Sequence, residues 1–321
     1  MAGEQVTSGR ALLTVFSVLL TATLACCVGL SPAVRAAFPG SPGLIAVQRS
    51  LDSGNTSAIW VLDWQTGEAR RLTHRGYSRS PDFSPDGRWI AFVSDLPRGR
   101  LNIWAIRPNG KGLRRLTKGR GELAAESPSF STNGRWVAFS AESRSGRRQI
   151  ERVAFGGGHR RVLVPQRGKV SAFSPSYSPD GRRLAWVQWR ESRRVVPHIY
   201  IGRPDGRGGR RVTTGTEPKF SPDGRSIVFL RESRCGENRL RSEIDTMSLD
   251  TGQLRHVKSV CGTELGSPTY SPDGGWITYT VYSDESSKIA FSPVSRIVSQ
   301  IAPSAGFGAI GDAAPSWQPI P

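Results

Sequence analysis

A chain of 321 residues is long enough for one large core. Its 44 Lys and Arg against 26 Asp and Glu leave a formal net charge of +18, which reflects either an Arg-rich background or an anionic partner. No recognition-helix or RNA-binding motif accompanies the charge, so no nucleic-acid partner is expected.

Residues 11–34 carry no charge and lie between Arg10 and Arg35. The run suits a signal peptide or an uncleaved membrane anchor. Small residues at Ser31-Pro32-Ala33 and Val34-Arg35-Ala36 offer cleavage positions. A third reading is a lipoprotein at Cys26 in Thr23-Leu24-Ala25-Cys26, although the usual Leu three places before the cysteine is missing. All three place the rest of the chain outside the cytoplasm, in the periplasm or cell envelope. The expected division is a leader or anchor at 1–36 and one domain at 38–321, with no second domain and no long linker.

One phrase then recurs six times: Ser80-Pro81-Asp82-Phe83, Ser127-Pro128-Ser129-Phe130, Ser174-Pro175-Ser176-Tyr177, Glu217-Pro218-Lys219-Phe220, Ser267-Pro268-Thr269-Tyr270 and Ala314-Pro315-Ser316-Trp317. Their aromatics stand 47, 47, 43, 50 and 47 residues apart. A strand-rich repeat of that period means radial repetition, a β-propeller. Each internal phrase is strand a. A turn follows, as in Pro85-Asp86-Gly87, where proline pre-sets φ, aspartate bonds back to backbone and glycine accepts positive φ. Copy two uses Thr132-Asn133-Gly134, another hairpin signal.

Strand b is apolar throughout, as in Trp136-Val137-Ala138-Phe139, which predicts burial on both faces between neighbouring blades. Trp89, Trp136, Trp186 and Trp276 sit at related points of strand b and point to inter-blade packing rather than a sugar platform. Strand c alternates, as in Leu101-Asn102-Ile103-Trp104-Ala105-Ile106. Strand d is basic, as in Leu113-Arg114-Arg115-Leu116-Thr117, and reads as a charged outer edge that blocks unwanted pairing. Residues 43–74 hold b, c and d only, while the last phrase is a strand a with nothing after it. The expected fold is therefore all-β: a six-bladed β-propeller of four-stranded blades, closed when the C-terminal strand a joins the N-terminal b-c-d strands.

The repeated S-P-x-[FYW]-S-P-D-G with a downstream R-R-L-T resembles the TolB-type propeller, a relative of WD repeats, over about residues 40–321. TolB carries an α/β domain ahead of its propeller, and similar propellers precede the hydrolase domain of prolyl-oligopeptidase-like enzymes. Neither segment is evident here, so the resemblance implies the propeller and carries TolB's envelope role only weakly.

Cys235 falls in the b–c loop of one blade and Cys261 just after its strand d. Those loops emerge on one propeller face, so a disulfide is expected in an oxidising compartment, with two unpaired buried thiols as the alternative. The b–c loops also hold Arg98 and Arg100; Arg144, Arg147 and Arg148; Arg190, Arg193 and Arg194; Arg234, Arg239 and Arg241. The d–a loops add Arg75, Arg79, Arg120, Arg167 and Lys169. One face then presents many guanidiniums to phosphates or carboxylates.

Catalytic constellations are missing from the sequence. There is no G-x-S-x-G, H-E-x-x-H, C-x-x-C or P-loop. His74, His159, His198 and His256 fall in or beside strands c and d and read as surface or satisfied strand residues. Asp82, Glu126 and Glu217 lie near the inner strands, few and irregularly placed for a channel metal. No catalytic residue, metal or cofactor is assigned. Asn55-Thr56-Ser57 reads as a chance glycosylation match. The sequence reading is an exported, non-enzymatic propeller, expected to be monomeric, that binds an envelope protein, anionic polymer or lipid headgroups through its basic loop face. The N-terminal segment is a possible tether. The alternative is a hydrolase or lyase with its site in the central channel.

Overall fold

The computed structural model describes residues 38–321, except 52–55, 97–98, 119–123, 192–195, 238, 284–285, 296–311 and 321. Six antiparallel sheets follow one another along the chain. Blade 1 contains β1 (Ser41–Leu51), β2 (Thr56–Asp63) and β3 (Ala69–Arg71). Blade 2 runs β4 (Ser78–Phe83), β5 (Ile90–Ser94), β6 (Asn102–Ile106) and β7 (Arg114–Arg115). Blade 3 runs β8 (Ala124–Phe130), β9 (Trp136–Glu142), β10 (Arg148–Ala154) and β11 (Arg161–Val164). Blade 4 is β12 (Val170–Tyr177), β13 (Leu184–Arg190), β14 (His198–Gly202) and β15 (Arg210–Thr214). Blade 5 is β16 (Thr216–Phe220), β17 (Ser226–Arg234), β18 (Leu240–Ser248) and β19 (Leu254–Cys261). Blade 6 shows three strands among the described residues, β20 (Glu264–Tyr270), β21 (Trp276–Ser283) and β22 (Ser286–Pro293). The last strand, β23 (Asp312–Ile320), pairs antiparallel with β1 and sets Trp317 opposite Ile45. The ring thus closes by the expected route.

Strand b behaves as its composition predicts. In β9, Val137 and Phe139 pack with Ala91, Val93 and Ile103 of blade 2, while Ala138 packs with Leu184 and Trp186 of blade 4. Each of six apolar clusters joins one pair of neighbouring blades, the sixth through Ile45, Ile289 and Trp317. The apolar alternation therefore serves two interfaces at once.

The turns use their polar residues as the sequence suggests. The Ser84 hydroxyl donates to Asp86 Oδ1 (2.6 Å) and accepts from the Trp89 N–H (2.9 Å). The Arg88 N–H donates to Asp86 Oδ1 (3.1 Å), and Gly87 takes φ +65°. The threonine of R-R-L-T has a structural duty too: Thr73 and Thr117 hydroxyls each accept a strand-c N–H, from Ile59 and Ile103, at 2.9 Å.

Two details differ from expectation. The residue before each strand-a proline is left-handed: Ser80, Ser127, Ser174, Glu217, Ser267 and Ala314 all have φ of 49–52°. In five of the six strands this coincides with a register shift against strand b, and in β23 with a shift against β1. Proline has no N–H for the ladder, so it is accommodated at a bulge. Trp186 also differs from the other tryptophans. Trp89, Trp136 and Trp276 come six places after their strand-a aromatic, whereas Trp186 comes nine after Tyr177. Its counterparts are Phe92, Phe139, Phe229 and Tyr279 at the strand centre.

Cys235 and Cys261 are joined, with Cα atoms 6.0 Å apart, and Cys261 is the last residue of β19 rather than a loop residue. The bond ties the b–c loop of blade 5 to the end of its outermost strand.

Deleting residues 312–321 removes Trp317 and leaves β1 as an open edge. Thermal melting of the truncated protein is expected to shift down by roughly 10 °C or more; an unchanged melting temperature contradicts closure. Replacing Cys235 and Cys261 with Ser reopens a loop spanning 26 positions of sequence. The expected loss, read by denaturant titration, is about 3 kcal/mol.

Candidate functional site

Two features of the propeller compete for function: the face carrying the b–c and d–a loops, and the central channel. Contacts between loops show that they share a face. The Ser57 hydroxyl, after the b–c connection of blade 1, donates to the Ser78 carbonyl at the start of blade 2 (2.6 Å). Arg147 of blade 3 approaches Glu191 of blade 4 at 3.7 Å.

The arginines expected on this face divide by their partners. Arg148 opens β10 and is held by Glu142 (2.8 Å) and Glu126 (3.3 Å). Glu126 also takes Arg79 at 2.6 Å, so two guanidiniums and two carboxylates neutralise one another. Arg144, Arg239 and Arg241 are exposed, with no carboxylate partner among the described residues. Arg241 lies inside β18, opposite Cys261. Arg100 is exposed, and its carbonyl accepts from Asn102 Nδ2 (2.8 Å). Arg98, Arg193 and Arg194 lie outside the described residues, as do Arg120 and residues 1–36.

The channel is narrow. The six residue–proline pairs of strand a line a cavity of about 110 Å³. A smaller space of about 40 Å³ lies among the next side chain from each blade: Asp82, Ser129, Ser176, Lys219, Thr269 and Ser316. Three of these stitch blades together. The Phe83 N–H donates to Ser316 Oγ (3.0 Å), the Phe130 N–H to Asp82 Oδ2 (2.9 Å) and the Tyr177 N–H to Ser129 Oγ (3.3 Å). Lys219 reaches from blade 5 to Asp82 of blade 2, Nζ to Oδ1 at 3.5 Å. One level up, the Ser267 N–H donates to Glu217 Oε2 at 2.6 Å.

Burial pushes the Asp82 carboxyl above the usual range, against the pull of Lys219 and the Phe130 N–H. Burial raises Glu217 likewise, against the Ser267 N–H and Lys219. Of the acids that seemed irregular in the sequence, Asp82 and Glu217 thus line the axis, whereas Glu126 is taken by Arg79 and Arg148. The signal was present: Asp82 and Lys219 occupy the repeat position that is Ser or Thr in the other blades. Distance across the ring kept the pair hidden. Among the described residues no group of three or more His, Cys, Asp or Glu is placed to hold a metal ion.

This architecture is that of a TolB-like six-bladed β-propeller, and comparison with known proteins supports that class. A Tol-Pal system protein TolB of Francisella tularensis subsp. mediasiatica (strain FSC147) is 27% identical over 237 residues, 71% of this chain and 41% of that protein. The crystal structure of TolB from Acinetobacter baumannii superposes with a TM-score of 0.67 at 18% identity, covering 86% of this chain and 67% of that one. The fold also carries an enzyme, an oligogalacturonate lyase in complex with manganese, at TM-score 0.51 and 17% identity, covering 79% of this chain and 72% of that one. No protein-family model matches. The match spans about two fifths of the length of the curated TolB relatives.

An unfolded glutamate titrates near 4.5, and folded Glu217 holds its proton to higher pH. Between those values the folded state binds the extra proton, so stability falls as pH rises through the raised value. Glutamine keeps an oxygen for the Ser267 N–H. Glu217→Gln is therefore expected to gain in melting temperature relative to the parent between pH 4 and pH 8. A gap that stays constant with pH shows an unperturbed carboxylate.

Proposed function

We propose that the protein is an exported, non-enzymatic propeller that binds another component of the cell envelope, a protein or an anionic polymer or lipid surface, through its basic loop face. The observation that carries this reading is the open set of guanidiniums at Arg144, Arg239 and Arg241. Strand-d arginines have packing duties: Arg114 lies 3.9 Å over the Phe155 ring and 4.4 Å over Trp89. The loop-face three have none of this kind, and unpaired cations on one face attract anions. The Tol-Pal name of the curated relatives supports an envelope setting. An uncharged leader at 11–34 supports export, and the Cys235–Cys261 bond suits an oxidising compartment.

A hydrolase or lyase in the channel is the second reading, and Asp82 with Lys219 is the pair that favours it. Size weighs against it. The cavity at the proline ring is about 110 Å³, against roughly 300–1,000 Å³ for a small-molecule site.

Replacing Arg144, Arg239 and Arg241 with Gln tests the loop face by co-sedimentation with phosphatidylglycerol vesicles across a salt titration. Binding should weaken several-fold and its salt dependence flatten, because fewer charges remain to be screened. The fold should be unaffected, exposed substitutions costing no more than about 0.5 kcal/mol each. Equal binding by both proteins throughout the titration leaves the charge as background composition.

A further inference from the structure

A larger opening lies on the flank of the ring, away from the channel, and reaches the loop face at Arg167 and Arg190. It is a cleft of about 920 Å³ between blades 3 and 4. Its size is that of a ligand site rather than a packing defect. Five arginines line it: Arg152, Arg161, Arg167, Arg190 and Arg207. Asp205 is the only carboxylate in the lining, 3.9 Å from Arg207. Arg161, Arg167 and Arg190 are exposed and meet no carboxylate among the described residues.

The arrangement runs along the strands. Arg190 ends β13, and Arg167 lies beside Val170, its cross-strand partner. Arg161 starts β11 opposite Arg152, and Arg207 lies in the turn between β14 and β15, at the other end of the blades. Between these two groups stand Trp186 and Tyr200, stacked at 6.0 Å with planes 17° apart. Trp186 and Arg190 are four residues apart on one strand, about 13 Å. The far end is closed by blade 4's turn, where a Cβ on Gly206 would stand 2.3 Å from the Leu163 carbonyl oxygen.

The cleft is rich in donors. The Trp186 side chain is 98% buried, its exposure being 2%, yet its indole N–H has no acceptor in the protein. Arg152 Nε is also buried and unpaired. An indole N–H and guanidiniums accept nothing, so a ligand must bring oxygen acceptors and negative charge. It must also span charged ends and an aromatic middle. A sugar ring offers an apolar face and hydroxyl oxygens together. A peptide adds an N–H at every residue, for which the side chains here offer only Asp205, Gln188 and the Tyr200 hydroxyl as acceptors.

We propose that the blade 3–blade 4 cleft binds an acidic oligosaccharide, with its anionic groups on the two arginine clusters, a ring against Tyr200 and an oxygen on the Trp186 indole N–H. This site uses none of Arg144, Arg239 and Arg241 and can exist whether or not those three bind anything.

The test is isothermal titration of the folded propeller with a heparin-derived hexasaccharide. Cellohexaose serves as the neutral control and a hexaglutamate peptide as the acidic peptide control. The heparin oligomer should bind, and cellohexaose and hexaglutamate at least about tenfold more weakly. Arg161→Gln with Arg207→Gln should weaken binding about tenfold. Trp186→Phe keeps the fold, because phenylalanine holds this position in three other blades, and should weaken binding several-fold. The loop-face variant with Arg144, Arg239 and Arg241 changed to Gln should bind as the parent does. The assignment is overturned by no heat of binding with the hexasaccharide, by hexaglutamate binding as tightly, or by equal loss in the loop-face variant and the cleft variant. The last outcome would assign the binding to general charge.

Discussion

Everything in this molecule depends on a strand buried on both faces. Strand b of each blade has one set of apolar residues for the preceding neighbour and another for the next. Neither set is covered unless blades stand on both sides. An open row of blades would leave two greasy flanks and an unpaired edge. Closure by β23 removes both, and Trp317 serves the last interface and the first sheet at once. The ring is therefore one cooperative object and not a row of independent modules.

That constraint decides where function can reside. Residues that recur from blade to blade are occupied by the fold: the aromatic of strand a in the cores, the Asp or Asn of the turn in holding backbone, and the prolines in narrowing the axis. Departures from the repeat are free to differ. Asp82 and Lys219 replace small hydroxyl residues at the axis and form an ion pair across it. Trp186 replaces a phenylalanine or tyrosine and lines the cleft between blades 3 and 4. The arginines of the loop face follow no repeat position at all.

Net charge says less than its placement. A surplus of +18 is a property of the whole chain. In the folded protein it divides into three populations. Some guanidiniums lie over aromatic rings at the rim, as Arg114 does 3.9 Å over Phe155. Some are matched by carboxylates, as Arg79 and Arg148 are by Glu126 and Glu142. Others are exposed with no carboxylate partner among the described residues, as Arg144 is, and these are available to an anion from solution.

The sequence by itself determined the blade count, the strand order within a blade, the turn chemistry, the outer basic strand and the route of ring closure. Each is a local pattern repeated at a near-constant period, and local patterns survive being read in one dimension. It also brought Cys235 and Cys261 to one end of one blade, because strand direction alternates predictably. Only the tertiary structure decided the rest. The left-handed residue before each proline depends on how strand a bends around the axis. Which arginines are neutralised depends on carboxylates that lie across a blade boundary, as Glu126 does from Arg79, 47 positions away. The Asp82–Lys219 pair joins residues 137 positions apart across the ring, and the cleft beside Trp186 is set by how two blades meet. Such features arise from distances through space between repeats, and a repeat pattern specifies each unit far better than the gaps between them.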